Sequence, residues 1–434
     1  MRRSRPWIGW LPLAFIGAGM VNFLAGSTLG SLMALVPGWW ARLGPVHGEI
    51  NPYGWLTMLI YGMTYAVLSV SAGLRPPRPG LGWVQWALAE AGVLGIVAGD
   101  AAGVPGLSRV GWLFQALAPL VFLINILSAV RAKRRGLAGR IEIPERMRYL
   151  GPSDRFQATD RVGQRGTDIA LMLFLVGVVW STIRIWTGGT EAAGAGILVD
   201  YGWIAGTVLS VAVHLYPRFT DDAGIPRWSV LGAQGLWLLG VVLSAFGALV
   251  WPVFVAAGQR LMGVAFLLSA AMYLVRLPRR RRDADGLRRM PLPAAWAWAI
   301  AWWFAAILGL ALLAGLSPGS LAAMHLLFLG WITTLVYAVG YALFPVFLEV
   351  AAPTRALAGA QVILATVGAA GMALAFALST PSFTAALPFA DAAVPVLFTI
   401  GGVCAWGAFA GFSLLWGLAW GCDSVHTAMA RRAG

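Results

Sequence analysis

Only four histidines occur in the chain, and two of them precede the same dipeptide. His47 lies seven residues before Gly54-Trp55, and His325 lies five before Gly330-Trp331. Neutral imidazole ligates heme iron and other transition metals. Left unpartnered inside an apolar helix, the same ring is costly. The pair therefore has two explanations: both rings ligate one metal centre, or each is satisfied separately by backbone carbonyls, hydroxyls or water. His214, in His214-Leu215-Tyr216-Pro217-Arg218, reads as an interfacial histidine satisfied by water, with a metal or quinone contact as the alternative. His426, beside Asp423 and Ser424, reads as a solvated tail residue.

Few other groups in the apolar stretches carry chemistry. Glu49 stands close enough to His47 to orient its ring as an outer acceptor. Glu90 falls in the middle of an apolar run and needs a proton or a partner there. Two cysteines, Cys404 and Cys422, supply neither a disulfide framework nor a C-x-x-C-H attachment site, so any heme is held without a thioether.

The elements that must position these residues are membrane helices. The chain is 59% hydrophobic and 11% charged, with repeated apolar runs long enough to span a bilayer as helices. The runs predict twelve spans: about 7–35, 47–70, 83–104, 110–130, 167–186, 197–216, 229–250, 253–275, 293–316, 321–347, 357–378 and 392–421. The net charge of +14 is placed by topology and not by nucleic acid. Of 31 lysines and arginines, 27 fall on segments that alternate to one side, which the positive-inside rule makes cytoplasmic together with both termini. The four on the opposite side are Arg42, Arg109, Arg184 and Arg260. Arginine matches a carboxylate bidentately, which makes these four the candidates to pair heme propionates.

Basic segments at 131–166 and 276–292 divide one integral domain into blocks of about 7–130, 167–275 and 293–421. In each block the second helix carries Gly-Trp, and sixteen residues align without a gap: GWLTMLIYGMTYAVLS, GWIAGTVLSVAVHLYP and GWITTLVYAVGYALFP. The first and third share Thr57/Thr333, Tyr61/Tyr337 and Tyr65/Tyr341. Four helices return the chain to its starting side, so the repeats predict a pseudo-threefold arrangement about the membrane normal. In that alignment the two histidines differ by two residues, about 3 Å in height but roughly 200° in rotation on an ideal helix. Pro52 is the residue placed to reset that rotation. Trp55, Trp203 and Trp331 read as packing beside a glycine that lets helices approach.

The arrangement resembles subunit I of the heme-copper oxidases and the related nitric oxide reductases. The match is most specific at Ala323-Met324-His325 ahead of Gly330-Trp331, similar to that family's helix-10 pattern of H-x-H before Gly-Trp, and at Val46-His47-Gly48-Glu49-Ile50-Asn51 on helix 2. The resemblance implies twelve helices in three arcs and a low-spin heme between His47 and His325. Ala323 stands where the family has its high-spin heme ligand. Helix 6 offers Asp200 and Tyr201 but no histidine in its outer half, and residues 229–250 contain none. A copper and high-spin heme centre needs about four imidazoles in one place, so oxygen or nitric oxide reduction by the family mechanism is not expected.

The expectation is thus an all-α membrane protein holding one low-spin heme b, with no copper and no catalytic residue assigned. It would transfer electrons or sense or handle a gas, in a bacterial or archaeal cytoplasmic membrane, with a redox partner protein or quinone. The alternatives are a cofactor-free transporter or channel, with a polar path lined by Glu90, Asn22 and Asn125, and a membrane anchor subunit.

Overall fold

The computed structural model describes residues 9–433 except 72–77, 138–142, 144, 223, 248, 250, 278–289, 381–386 and 388; the side chains of 69, 71 and 418–433 are also outside the description. The expected basic tail before residue 6, the arginine run at 279–282 and the His426 side chain therefore lie outside it. The described residues form helices and no strand. A helical run that passes through a π-helical stretch is counted here as one element. The elements are α1 (Trp10–Leu35), α2 (Trp40–Glu49, Ile50–Thr57, Met58–Ser71), α3 (Pro79–Ala102) and α4 (Pro105–Arg134). Next come α5 (Gln157–Trp186), α6 (Ala193–Ile197, Leu198–Ala205, Gly206–Thr220), α7 (Arg227–Gly247) and α8 (Pro252–Arg276). The last are α9 (Leu292–Leu313), α10 (Leu321–His325, Leu326–Thr333, Thr334–Leu348), α11 (Arg355–Leu378) and α12 (Ala390–Ala433).

Among the described residues, eleven helices are long and apolar enough to cross a membrane. The run outside that group is α2, whose first half bears Arg42, His47, Glu49 and Asn51. Large apolar side chains such as Ile124 (59% exposed) and Ile363 (65%) stand on the outer faces, while Asn125 and Gln361 are buried. Apolar groups outside and hydrogen-bonded polar groups inside suit a bilayer as solvent. The largest difference at a helix start from the sequence reading is α5, which begins at Gln157 and not near 167. Its first turns carry Asp160, Arg161 and Arg165, so the helix outruns its apolar stretch.

Each Gly-Trp pair lies inside a π-helical segment of eight residues, with the glycine fifth and the tryptophan sixth: Ile50–Thr57, Leu198–Ala205 and Leu326–Thr333. Wide turns strain the backbone ladder, and hydroxyls compensate. Thr333 Oγ1 donates to Phe328 O at 2.6 Å, and Thr334 Oγ1 to Leu329 O at 3.3 Å. The glycine admits the preceding helix. A Cβ on Gly54 would stand 3.1 Å from Asn22, and one on Gly330 would stand 2.8 Å from Phe304. The tryptophan fills the space beyond. Trp55 stacks on Phe23 at 3.5 Å and 4°, and Trp203 on Phe174 at 5.0 Å and 13°.

Two further ties recur. Tyr65 donates to Gln85 at 2.5 Å and Tyr341 to Gln361 at 3.0 Å, both tying a Gly-Trp helix to the next one. Close backbone approaches at glycine join α3 to α4 (Gly95 with Gly111), α7 to α8 (Gly240 with Gly258) and α11 to α12 (Gly371 with Gly401). At the end carrying most of the basic residues, Arg218 is fully buried and bidentate on Asp160 at 2.7 and 2.8 Å. Asp160 also accepts from His214 Nδ1 at 2.8 Å, while Arg218 reaches Gly151 O at 3.1 Å.

Candidate functional site

His47 and His325 line the same cavity, of about 420 Å³, bounded mainly by α1, α2, α10, α11 and α12. Both rings are half-buried. The two-residue offset between them does not turn either ring away. His47 precedes its π-helical segment by three residues and follows Pro45, while His325 immediately precedes its own segment.

The hydrogen bonding of the two imidazoles is the same in kind. His47 Nδ1 is 2.8 Å from Gly26 O, and His325 Nδ1 is 2.7 Å from Leu321 O. A carbonyl can only accept, so Nδ1 carries the proton in each ring and Nε2 is the lone-pair nitrogen. That tautomer, pinned by a backbone carbonyl, is the one found at metal-ligating histidines. The rings are also fixed laterally. His325 packs on Phe376 at 4.5 Å between centroids. Gly30 lets α1 pass against His47, since a Cβ there would stand 2.6 Å from His47 Cε1.

Small residues keep the space open. Gly30 and Ser31 of α1 face Gly402 and Ala405 of α12, and Ser31 Oγ fastens the two helices by donating to Gly402 O at 2.8 Å. The remaining wall is polar, from α2 and from the chain entering α6. Glu49, Tyr53, Glu191 and Asp200 line it. Glu191 Oε1 accepts from Tyr53 OH at 3.2 Å and from Ser181 Oγ at 3.0 Å.

Glu49 is the expected orienting group for His47, but the His47 ring is held by Gly26, and Glu49 Oε2 is buried without a partner. None of Arg42, Arg109, Arg184 and Arg260 lines the cavity. Arg42 is exposed and reaches Ala101 O at 3.4 Å; Arg184 and Arg260 are exposed as well. Glu90 accepts from Asn22 Nδ2 at 3.0 Å, and the same amide donates to Gly54 O at 2.9 Å. His214, expected to meet water, meets Asp160 instead and is outside the cavity wall.

Sequence reasoning passed over Glu191 as a wall residue and noted Asp200 only for not being histidine. The signal lay in the composition: a carboxylate three residues before Trp203, in an otherwise apolar helix, needs a polar neighbour. Among α8, α9 and α10, aromatic rings fill the interior. Tyr273 packs on Trp302 at 4.4 Å, Trp302 on Trp331 at 5.5 Å, and Phe266 on Trp331 at 5.1 Å, all buried.

The cavity has the mostly apolar wall and the two histidines that an iron porphyrin would need. It offers no guanidinium to porphyrin carboxylates, only hydroxyl, amide and carboxyl groups. Among the described residues no three of His, Cys, Asp and Glu form a metal-holding group, so the two imidazoles are the donors to be explained. The chain matches no protein-family model and no curated protein.

Proposed function

We propose that this chain is an integral membrane heme protein: twelve spans in three four-helix units, with one low-spin b-type heme held between His47 Nε2 and His325 Nε2. The observation that carries this reading is the shared cavity of two histidines from opposite ends of the chain, each with Nδ1 committed to a carbonyl. The recurrence of π-helical Gly-Trp segments supports the three-unit arrangement, and the placement of basic residues supports cytoplasmic termini.

In such a site the chain's own residues have defined tasks. Gly26 and Leu321 hold the imidazole tautomers, Gly30 and Phe376 fix the rings, and the walls of α1 and α12 keep bulk water from the metal. Bound heme supplies reversible one-electron chemistry. A heme held by the two histidines would suit the site to electron transfer or redox and gas sensing, with a quinone or a redox protein as partner.

A second reading is favoured by the polar wall: a cofactor-free transporter whose cation meets Glu49, Glu191 and Asp200. The two separate in one experiment. Protein made with ample heme supply is purified and its reduced-minus-oxidised spectrum recorded, alongside His47→Ala and His325→Ala. Soret and alpha bands lost in either variant support ligation by the pair. Bands absent from the unaltered protein refute it and leave the transporter.

A further inference from the structure

The residue two places after each repeated tryptophan is Thr57, Ala205 or Thr333. Where α2 meets α6, Trp203 Nε1 donates to Thr57 Oγ1 at 3.0 Å. Carrying that contact around the three units pairs Trp331 with Ala205 and Trp55 with Thr333. Ala205 has no hydroxyl, and Trp331 Nε1 is indeed without a partner. Trp55 and Thr333 retain both halves of the pair, yet Trp55 Nε1 is also buried and unpartnered. The two side chains line the cavity and are 2% and 1% exposed. Thr333 Oγ1 has spent its proton on Phe328 O, which leaves it only acceptor capacity. A donor lacking an acceptor and an acceptor free to receive thus share one cavity wall. Buried N–H groups are seldom left in that condition.

We propose that this end of the cavity is a hydroxyl subsite: one oxygen accepts from Trp55 Nε1–H and donates to Thr333 Oγ1. The shared chemistry is that of an alcohol substituent on the cavity's ligand or of one fixed water. Trp55 and Thr333 each follow the histidine of their own helix by eight residues, about 12 Å along an ideal helix. The subsite therefore serves the ligand's inner end, remote from the Nε2 atoms. The inference rests on the reading that the cavity takes a ligand, and it makes Trp55 and Thr333 positioning residues for that ligand.

The full-length protein is compared with W55F and T333V, with T57V as a control at the closed contact. Ultraviolet resonance Raman of the indoles, as the difference between unaltered protein and W55F, is expected to show a hydrogen-bonded N–H at Trp55. A free N–H overturns the proposal, with or without heme. Release of bound hemin to excess apomyoglobin is expected to quicken about fivefold in W55F and in T333V, the loss of one net hydrogen bond, and to be unchanged in T57V. Equal release from all four proteins overturns it. The mass of the ligand extracted from protein as isolated assigns the oxygen: a hydroxylated ligand provides it itself, and a ligand without hydroxyl leaves it to water. A hydrogen-bonded Trp55 in protein that shows no heme spectrum defeats the heme assignment and leaves the subsite standing.

Discussion

Two contacts among the Gly-Trp helices use the same residues to opposite ends. Between α2 and α6 the interior is closed. Trp203 is tied to Thr57, Tyr61 leans on Phe122 at 4.8 Å, and Tyr53 meets Trp112 edge-on at 5.2 Å. Between α2 and α10 it is open, and the cavity with His47 and His325 occupies it. The tryptophan, the threonine and the π-helical segment are present in both places, so none of them makes the cavity. The difference lies in what the flanking helices contribute. Phe122 intrudes at the closed contact, while Gly30, Ser31, Gly402 and Ala405 withdraw from the open one. One scaffold yields a packed seam or a pocket according to the size of a few side chains on its neighbours.

The comparison breaks most completely at the histidines. Either His47→Ala or His325→Ala is expected to abolish the low-spin heme spectrum while the protein still folds, as judged by its thermal transition. Filling the pocket should come next. Gly30→Val brings a branched side chain against the His47 ring, where a Cβ alone would stand 2.6 Å from Cε1. Hemin affinity measured by titration is expected to fall more than tenfold, the scale of a displaced ligand and a strained core. Retained affinity would mean that His47 is not a ligand in its present orientation.

A change away from both contacts separates loss of ligand from loss of fold. Asp160→Asn strips the fully buried Arg218 of its bidentate carboxylate and leaves one neutral amide oxygen for Arg218 and His214 to share. The expected cost is about 3 kcal/mol, because an uncompensated guanidinium stays behind. Thermal unfolding in detergent measures it, and hemin affinity at temperatures where the variant is folded should be unmoved.

Much of this scaffold is legible in the sequence because burial in lipid writes itself as long apolar runs, and because Gly-Trp recurs at matched positions. The histidine pair is legible for the same reason: any imidazole among apolar residues stands out. The π-helical segments are not, since a wide turn inside an apolar helix leaves the composition unchanged. That is why a two-residue offset looked like a rotation. The polar wall was hidden differently. Glu191 and Asp200 belong to a middle block that has no histidine at its outer end, and only the packing of α6 against α2 brings them to a cavity shared by the other two. Asp160 and Arg218 are 58 positions apart, and their pairing depends on α5 extending beyond its apolar stretch.

The smallest effect tests the closed contact. In Thr57→Val the side chain keeps its shape but can no longer accept from Trp203 Nε1, leaving a buried indole N–H unpaired. Such a loss costs about 1 kcal/mol, a small downward shift in unfolding temperature, with the heme spectrum unchanged. The complementary change, Ala205→Thr, offers Trp331 the hydroxyl that the other two positions carry. If the three contacts are equivalent by threefold arrangement, it should recover a comparable amount of stability. If Ala205→Thr destabilises instead, Trp331 and residue 205 do not meet as Trp203 and Thr57 do. The correspondence among the three units, and with it the pairing assigned to Trp55 and Thr333, would then be lost.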